Sequence, residues 1–141
     1  MGEIKLTYQV DGGDLIQAGE ASSKMKMTLK KLGLPAEAIR RASICMYEGE
    51  INMVIHADGG RVEVDVGMDA ITLRLIDHGP GIPDVDRAME EGFSTAGDVA
   101  RDLGFGAGMG LPNMKRYSDE MTIETEVGKG TVVTVVIKIP Q

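Results

Sequence analysis

The chain has 141 residues, 43% of them hydrophobic but only 4% aromatic and none tryptophan, which implies one domain (residues 1–141) with an aliphatic core whose ten methionines fill irregular gaps. A formal net charge of −7 without any basic run argues against nucleic acid or an anionic membrane as a partner. The single Cys45 excludes an internal disulfide; with no apolar run long enough to span a bilayer and no signal-peptide pattern at Met1, a cytoplasmic protein is expected.

In chain order, residues 3–10 alternate strictly and predict a strand with one buried face, ended by a turn at Asp11-Gly12-Gly13. From Asp14, the expected N-cap, small or apolar positions recur at Leu15, Ala18, Ser22, Met25, Leu29 and Leu32, one face of a helix that Gly33 stops; Met27 falls off that stripe. A second helix is expected from Pro35 to Ala57. Its stripe is Ile39, Ala42, Met46, Gly49 and Met53, and Ile44, Ile51 and Ile55 make much of the remaining circumference apolar, so it should be largely buried. Glu48, Asn52 and His56 follow one another at four-residue steps on this buried helix and point the same way. Burial of an unpaired carboxylate is costly. The three groups are therefore a helix edge that dips into water, a Glu–Asn–His chain that satisfies itself, or a pair of oxygen ligands and a base facing a ligand.

After a turn at 58–60, residues 61–66 and 71–76 alternate as two strands joined by a turn at 67–70. The second strand runs into Asp77-His78-Gly79-Pro80-Gly81-Ile82. A long loop with few large apolar side chains follows, and then Gly104-Phe105-Gly106-Ala107-Gly108-Met109-Gly110-Leu111, which opens a helix from about Gly108 to Ser118. Glycine lets backbone approach a ligand, and a helix N-terminus offers unpaired N–H groups to phosphate, so the arrangement reads as a nucleotide site. The spacing is neither Gly-x-x-x-x-Gly-Lys-Ser/Thr nor Gly-x-Gly-x-x-Gly, which argues against a P-loop and a dinucleotide fold. Residues about 92–106, rich in glycine and hooked only by Phe93 and Leu103, are expected to form a mobile lid. Strands at 120–126 and 131–139 flank a turn at Gly128-Lys129-Gly130. The order βααββ–loop–αββ predicts an α/β two-layer sandwich, a mixed, mostly antiparallel sheet with helices on one face.

Glu48-x-x-x-Asn52, Asp77-x-Gly79-x-Gly81-Ile82, Gly106-x-Gly108-x-Gly110-Leu111 and Gly128-Lys129-Gly130-Thr131 come in the order of the four nucleotide-site boxes of the GHKL ATPase superfamily, which joins gyrase, Hsp90, histidine kinases and MutL, and the chain resembles that superfamily over nearly its whole length. Ile82-Pro83-Asp84-Val85 followed by Met89-Glu90-Glu91-Gly92-Phe93-Ser94-Thr95 is similar to the anti-sigma-factor serine kinases, above all the stressosome switch kinases, although the loop carries Ala96 to Leu103 where those are shorter.

The resemblance implies ATP with Mg²⁺ and a role for each matching residue. Asp77 corresponds to the acceptor of the adenine 6-amino group, Thr131 to a hydroxyl that helps hold it, and Gly79, Gly81 and Ile82 to the backbone beside the base. Asn52 corresponds to the Mg²⁺ ligand, and Gly106, Gly108, Met109, Gly110 and Leu111 to the phosphate-contacting turn. Thr95 and Arg101 fall in the lid; Arg101 is the candidate cation for the γ-phosphate, with Lys115 the alternative. Glu48 corresponds to the catalytic base, His56 and His78 read as structural or supporting residues, and Cys45 as a small buried apolar one. The implied function is a serine/threonine protein kinase acting as an anti-sigma or partner-switching regulator. Its substrate would be a small STAS-domain antagonist, its other partner a sigma factor or a phosphatase, and a homodimer a further expectation. The alternative is an ATP-gated binding module with little kinase turnover. A histidine-kinase catalytic domain is disfavoured, since no dimerisation helix bearing a phosphorylatable histidine is recognisable.

Overall fold

The computed structural model describes residues 4–12, 19–56, 59–82, 85, 89 and 110–140. Strand β1 (Ile4–Asp11) is followed by helices α1 (Glu20–Lys31) and α2 (Ala36–His56), the hairpin β2 (Gly59–Val66) and β3 (Ala70–Asp77), helix α3 (Gly110–Tyr117), and the hairpin β4 (Glu120–Glu126) and β5 (Gly130–Lys138). The strands form one five-stranded sheet in the order β1-β2-β3-β5-β4. The expected two-layer α/β architecture is therefore present, and every ladder described is antiparallel.

Alternation decides which face of the sheet the helices cover. Leu6, Val64, Leu73, Val135 and Met121 are register neighbours across all five strands and share one face. On the other face the corresponding row is Thr7, Glu63, Arg74, Thr134 and Thr122, where Glu63 pairs with Arg74 at 2.9 Å. The apolar row meets Met25 and Leu29 of α1, Ala42, Cys45 and Met46 of α2, and Met114 of α3, all fully buried. Burial of a side chain of leucine or methionine size contributes about 1.5–3 kcal/mol. Among the described residues no helix is long and apolar enough to cross a membrane.

α2 is the central helix. At Gly49 an added Cβ would lie 2.1 Å from Leu75 Cδ2 and 3.3 Å from Met114 Cε, so α2 sits directly on β3 where a side chain would hold it off. The predicted stripe of α2 is buried as expected, and Ile44 and Ile55 are half-buried.

α1 departs from expectation at its start, whereas at its end Gly33, with φ 78°, stops it as expected. Its N-cap is Gly19, in the left-handed conformation, while Asp14 lies outside the described residues. No side chain of its own caps the helix. Instead the Glu50 carboxylate of α2, only 3% exposed, accepts the Gly19, Ala21 and Ser22 N–H groups at 3.0, 3.1 and 3.0 Å. These are amides that a first helical turn leaves open, and the negative charge meets the positive end of the helix. At the other end Leu32 is the C-cap and 39% exposed, beyond the buried stripe. Gly59 and Gly60, expected in a turn, are instead the first residues of β2, pressed against the backbone of Val10 and Ile76 where no Cβ would fit.

Candidate nucleotide site

The first half of the site is built on the end of β3. Asp77 is the last residue of that strand and faces Thr131 of β5 in register. Its Oδ1 accepts the Gly79 N–H at 2.9 Å and the Thr131 N–H at 3.2 Å. Two backbone donors on one oxygen fix the carboxylate plane, and among the described residues no group engages Oδ2, the oxygen left to meet an amino donor.

The segment after Asp77 is laid over the β4–β5 turn. The Gly128 N–H donates to Pro80 O at 2.8 Å, Gly81 takes φ 81° with its α-carbon against the Glu126 carbonyl, and the Ile82 N–H donates to Thr125 Oγ1 at 2.9 Å. Thr125 Oγ1 also lies 2.9 Å from Thr131 Oγ1 and 3.2 Å from Gly130 O. Thr131 therefore reaches Asp77 through its backbone N–H, while its hydroxyl meets Thr125. The hydroxyl of Thr125 has one proton for two acceptors. When that proton goes to Thr131 Oγ1, the Thr131 hydroxyl is free to donate to a bound ligand. Thr125 was not among the expected site residues. The signal was in the sequence nonetheless, since two threonines six apart around a Gly-Lys-Gly turn face one another in a tight hairpin.

The second half lies along the seam where α2 and α3 run antiparallel. Arg41 Nε donates to Tyr117 O at 3.0 Å and the Cys45 thiol to Met114 O at 3.4 Å. Asn113 Nδ2 then donates to Glu48 Oε2 at 3.0 Å, and Gly110 abuts Asn52. A Cβ at Gly110 would lie 3.0 Å from both Asn52 Nδ2 and Oδ1, so a side chain there would crowd the amide. The start of α3, with its open amides and positive dipole end, thus lies beside Asn52. Glu48 and Asn52, both half-buried, flank Gly49, which rests on Leu75 two residues before Asp77. That contact brings the helix face and the strand end to one side of the molecule.

Burial is the main cause that pushes the Cys45 thiol up to about 12, with the Glu48 charge adding and Arg41 opposing. Cys45 is thus a neutral, fully buried group, as its sequence context implied. Leu111 is buried in the core, Ile82 packs against it, and His78 and Lys115 are exposed. Thr95, Arg101, Gly106, Gly108, Met109, the His56 side chain and the expected lid at about 92–106 lie outside the described residues.

The residues present fit a magnesium nucleotide. Asp77 presents an oxygen that suits an amino group, and Asn52, left uncrowded because Gly110 has no Cβ, offers an amide oxygen of the hard type that Mg²⁺ prefers.

Comparison with known proteins agrees with this geometry. The profile of the family described as "Histidine kinase-, DNA gyrase B-, and HSP90-like ATPase" matches residues 39–141. The chain is 34% identical over 106 residues to the serine/threonine-protein kinase RsbT of Bacillus subtilis (strain 168), a match that covers 72% of this chain and 74% of the relative. It is 33% identical over 98 residues to the anti-sigma F factor of Thermoanaerobacter sp. (strain X514), over 70% of this chain and 61% of the relative. To the anti-sigma F factor of Geobacillus stearothermophilus it is 34% identical over 98 residues, over 70% of this chain and 60% of the relative. The chain therefore spans about three fifths of the length of those anti-sigma factors. It belongs to the histidine kinase-, DNA gyrase B- and HSP90-like ATPase family, on the branch where RsbT and the anti-sigma F factors are its relatives.

Proposed function

We propose that this protein is an ATP-dependent serine/threonine protein kinase of the partner-switching kind. It works in the cytoplasm, phosphorylates a small STAS-domain antagonist, and exchanges that partner for a sigma factor or a phosphatase as its nucleotide state changes. The observation that carries this reading is the placing of Glu48 and Asn52, one turn apart on α2, beside the start of α3. Asp77 Oδ2 accepts the adenine 6-amino hydrogen. A guanine would set an acceptor against an acceptor and lose about 1–3 kcal/mol. Asn52 would hold Mg²⁺, whose charge neutralises the phosphates. The start of α3 binds phosphate oxygens, a surface that Thr95, Arg101, Gly106, Gly108 and Met109 complete in the family pattern. Glu48 orients the incoming serine or threonine hydroxyl and takes its proton as the oxygen bonds to the γ-phosphorus, the bond from that phosphorus to the β-phosphate oxygen breaks and ADP leaves.

Glu48→Gln tests this. The amide keeps the shape and removes the base, so ATP and partner binding stay near normal while phosphotransfer to a STAS-type substrate falls by at least about a hundredfold. A wild type that transfers no labelled phosphate to any partner that it binds would instead be an ATP-gated adaptor.

A second copy of the chain is a further partner in this reading. Among the described strands β1, eight residues long, lies at an edge of the sheet, and unlike the glutamate-rich edge strand β4 it carries few charges against pairing. An antiparallel pairing about Tyr8 sets Lys5 opposite Asp11, Leu6 opposite Val10, Thr7 opposite Gln9 and Tyr8 opposite itself, so charge meets opposite charge and apolar meets apolar. In sedimentation equilibrium Lys5→Asp should be monomeric and the charge swap Lys5→Asp with Asp11→Lys should restore the dimer. A swap that stays monomeric overturns this pairing.

A further inference from the structure

Among the described contacts that cross the α2–α3 seam, the Glu48–Asn113 bond joins two side chains, whereas Arg41 and Cys45 donate to the Tyr117 and Met114 carbonyls of α3. The direction of the bond follows from chemistry, because an ionised carboxylate only accepts and the amide nitrogen must face it. Asn113 sits three residues after Gly110, within the helical turn whose start abuts Asn52. Asparagine is a weak helix former, since its side chain competes for backbone partners. Here that side chain is spent on a carboxylate of the neighbouring helix. A glutamate held at one end only has three side-chain torsions to settle, and freedom of that kind disperses a base over many useless orientations.

We propose that Asn113 is the positioning residue of the base. It pins Glu48 Oε2, so that Oε1 is the oxygen presented to the incoming hydroxyl. Because it shares a helical turn with Gly110, it ties the orientation of the base to the seating of phosphate at the start of α3. The inference rests on the role of Glu48 given above. The whole effect of Asn113 on turnover passes through Glu48, and the amide donor, more than the volume of the side chain, is what matters.

Three variants and one spectrum test it. Asn113→Ala should lower kcat for phosphotransfer by about ten- to a hundredfold with ATP affinity near wild type. Asn113→Asp has nearly the same shape but turns a second carboxylate on Glu48, and should lose at least as much; a packing role would tolerate it. Combined with Glu48→Gln, Asn113→Ala should add no further loss, since the base is already gone. In the free protein, Glu48→Gln should shift the side-chain amide resonances of Asn113, which an exposed change such as Lys129→Ala should leave in place. Wild-type kcat in Asn113→Ala, normal turnover in Asn113→Asp, or losses that multiply in the double variant would overturn the proposal. A wild type without phosphotransfer refutes the kinase reading separately. Asn113 resonances indifferent to Glu48→Gln refute the positioning contact whether or not the protein is a kinase.

Discussion

The two halves of the site are made of different material. Around Asp77 the scaffold is mostly backbone: Oδ1 is held by the Gly79 and Thr131 amides, and the following segment is tied to the β4–β5 turn through Pro80, Ile82 and Thr125. On α2 the scaffold is a helix–helix seam, where Glu48 takes its orientation from an Asn113 side chain and Asn52 lies against a glycine of α3. A strand ladder holds its donors in place as long as the sheet exists. A seam between helices can shift as their packing shifts, and it carries both groups that face the reacting phosphate in the proposed mechanism. In the proposed mechanism, then, the end that recognises the nucleotide rests on backbone hydrogen bonds and the end that faces the phosphate rests on helix packing.

That contrast can be broken first at Asp77. In Asp77→Asn an amide takes over the two backbone donors, and an NH₂ group can face the 6-amino group. ATP affinity should fall by about 1–3 kcal/mol, roughly five- to 150-fold, and discrimination against GTP should shrink with it. Calorimetry with both nucleotides measures this, and unchanged ATP affinity would remove Asp77 from the site.

A smaller effect is expected from Gly110→Ala, which sharpens the comparison because it touches only the helix seam. Its Cβ would crowd the Asn52 amide at 3.0 Å, so Mg²⁺-dependent affinity for ATP should drop by about tenfold, on the order of 1.4 kcal/mol, while affinity measured in EDTA stays unchanged. Equal losses with and without Mg²⁺ would mean that the helix start, and not Asn52, is what was disturbed.

The smallest effect concerns the far end of the seam. Asp119 accepts the Lys138 N–H and pairs with Arg41 at 3.1 Å; the Lys138 amide above all, with help from Arg41, holds its carboxyl below the ordinary 3.8 against the opposing effect of burial. A folded value below the unfolded one stabilises the protein above the ordinary carboxylate value, and that stability is lost as pH falls through the folded value. Asp119→Asn should therefore cost less than about 1 kcal/mol at neutral pH, and the difference from wild type should close below about pH 3.8 in urea titrations. A difference that persists unchanged into acid would show that the bond geometry and not the charge matters.

Several features were open to reading before any coordinates. The strands at 61–66, 71–76 and 120–126 followed from alternation, and the burial of Met25, Leu29, Ala42 and Met46 from helical spacing. The box around Asp77 was readable because its parts are neighbours in the chain: a carboxylate whose oxygen binds the amide two residues on is local turn chemistry. The four-residue step from Glu48 to Asn52 was readable for the same reason, since helix geometry alone puts them on one face.

What the tertiary structure alone decided is which partners those groups meet. Glu50 caps a helix that starts some thirty residues earlier, Ile82 finds a threonine 43 residues on, and Asn113 reaches a carboxylate 65 residues back. No periodicity encodes such pairs. They arise where α2 settles on β3 at Gly49 and α3 packs against α2, because close packing of apolar faces brings distant polar groups within a hydrogen bond of one another and burial then makes an unpaired one costly. Sequence by itself determined most of the strands and helices, the family pattern and the candidate residues of the site. The fold decided how each of those residues is held, since that depends on contacts between elements and not within them.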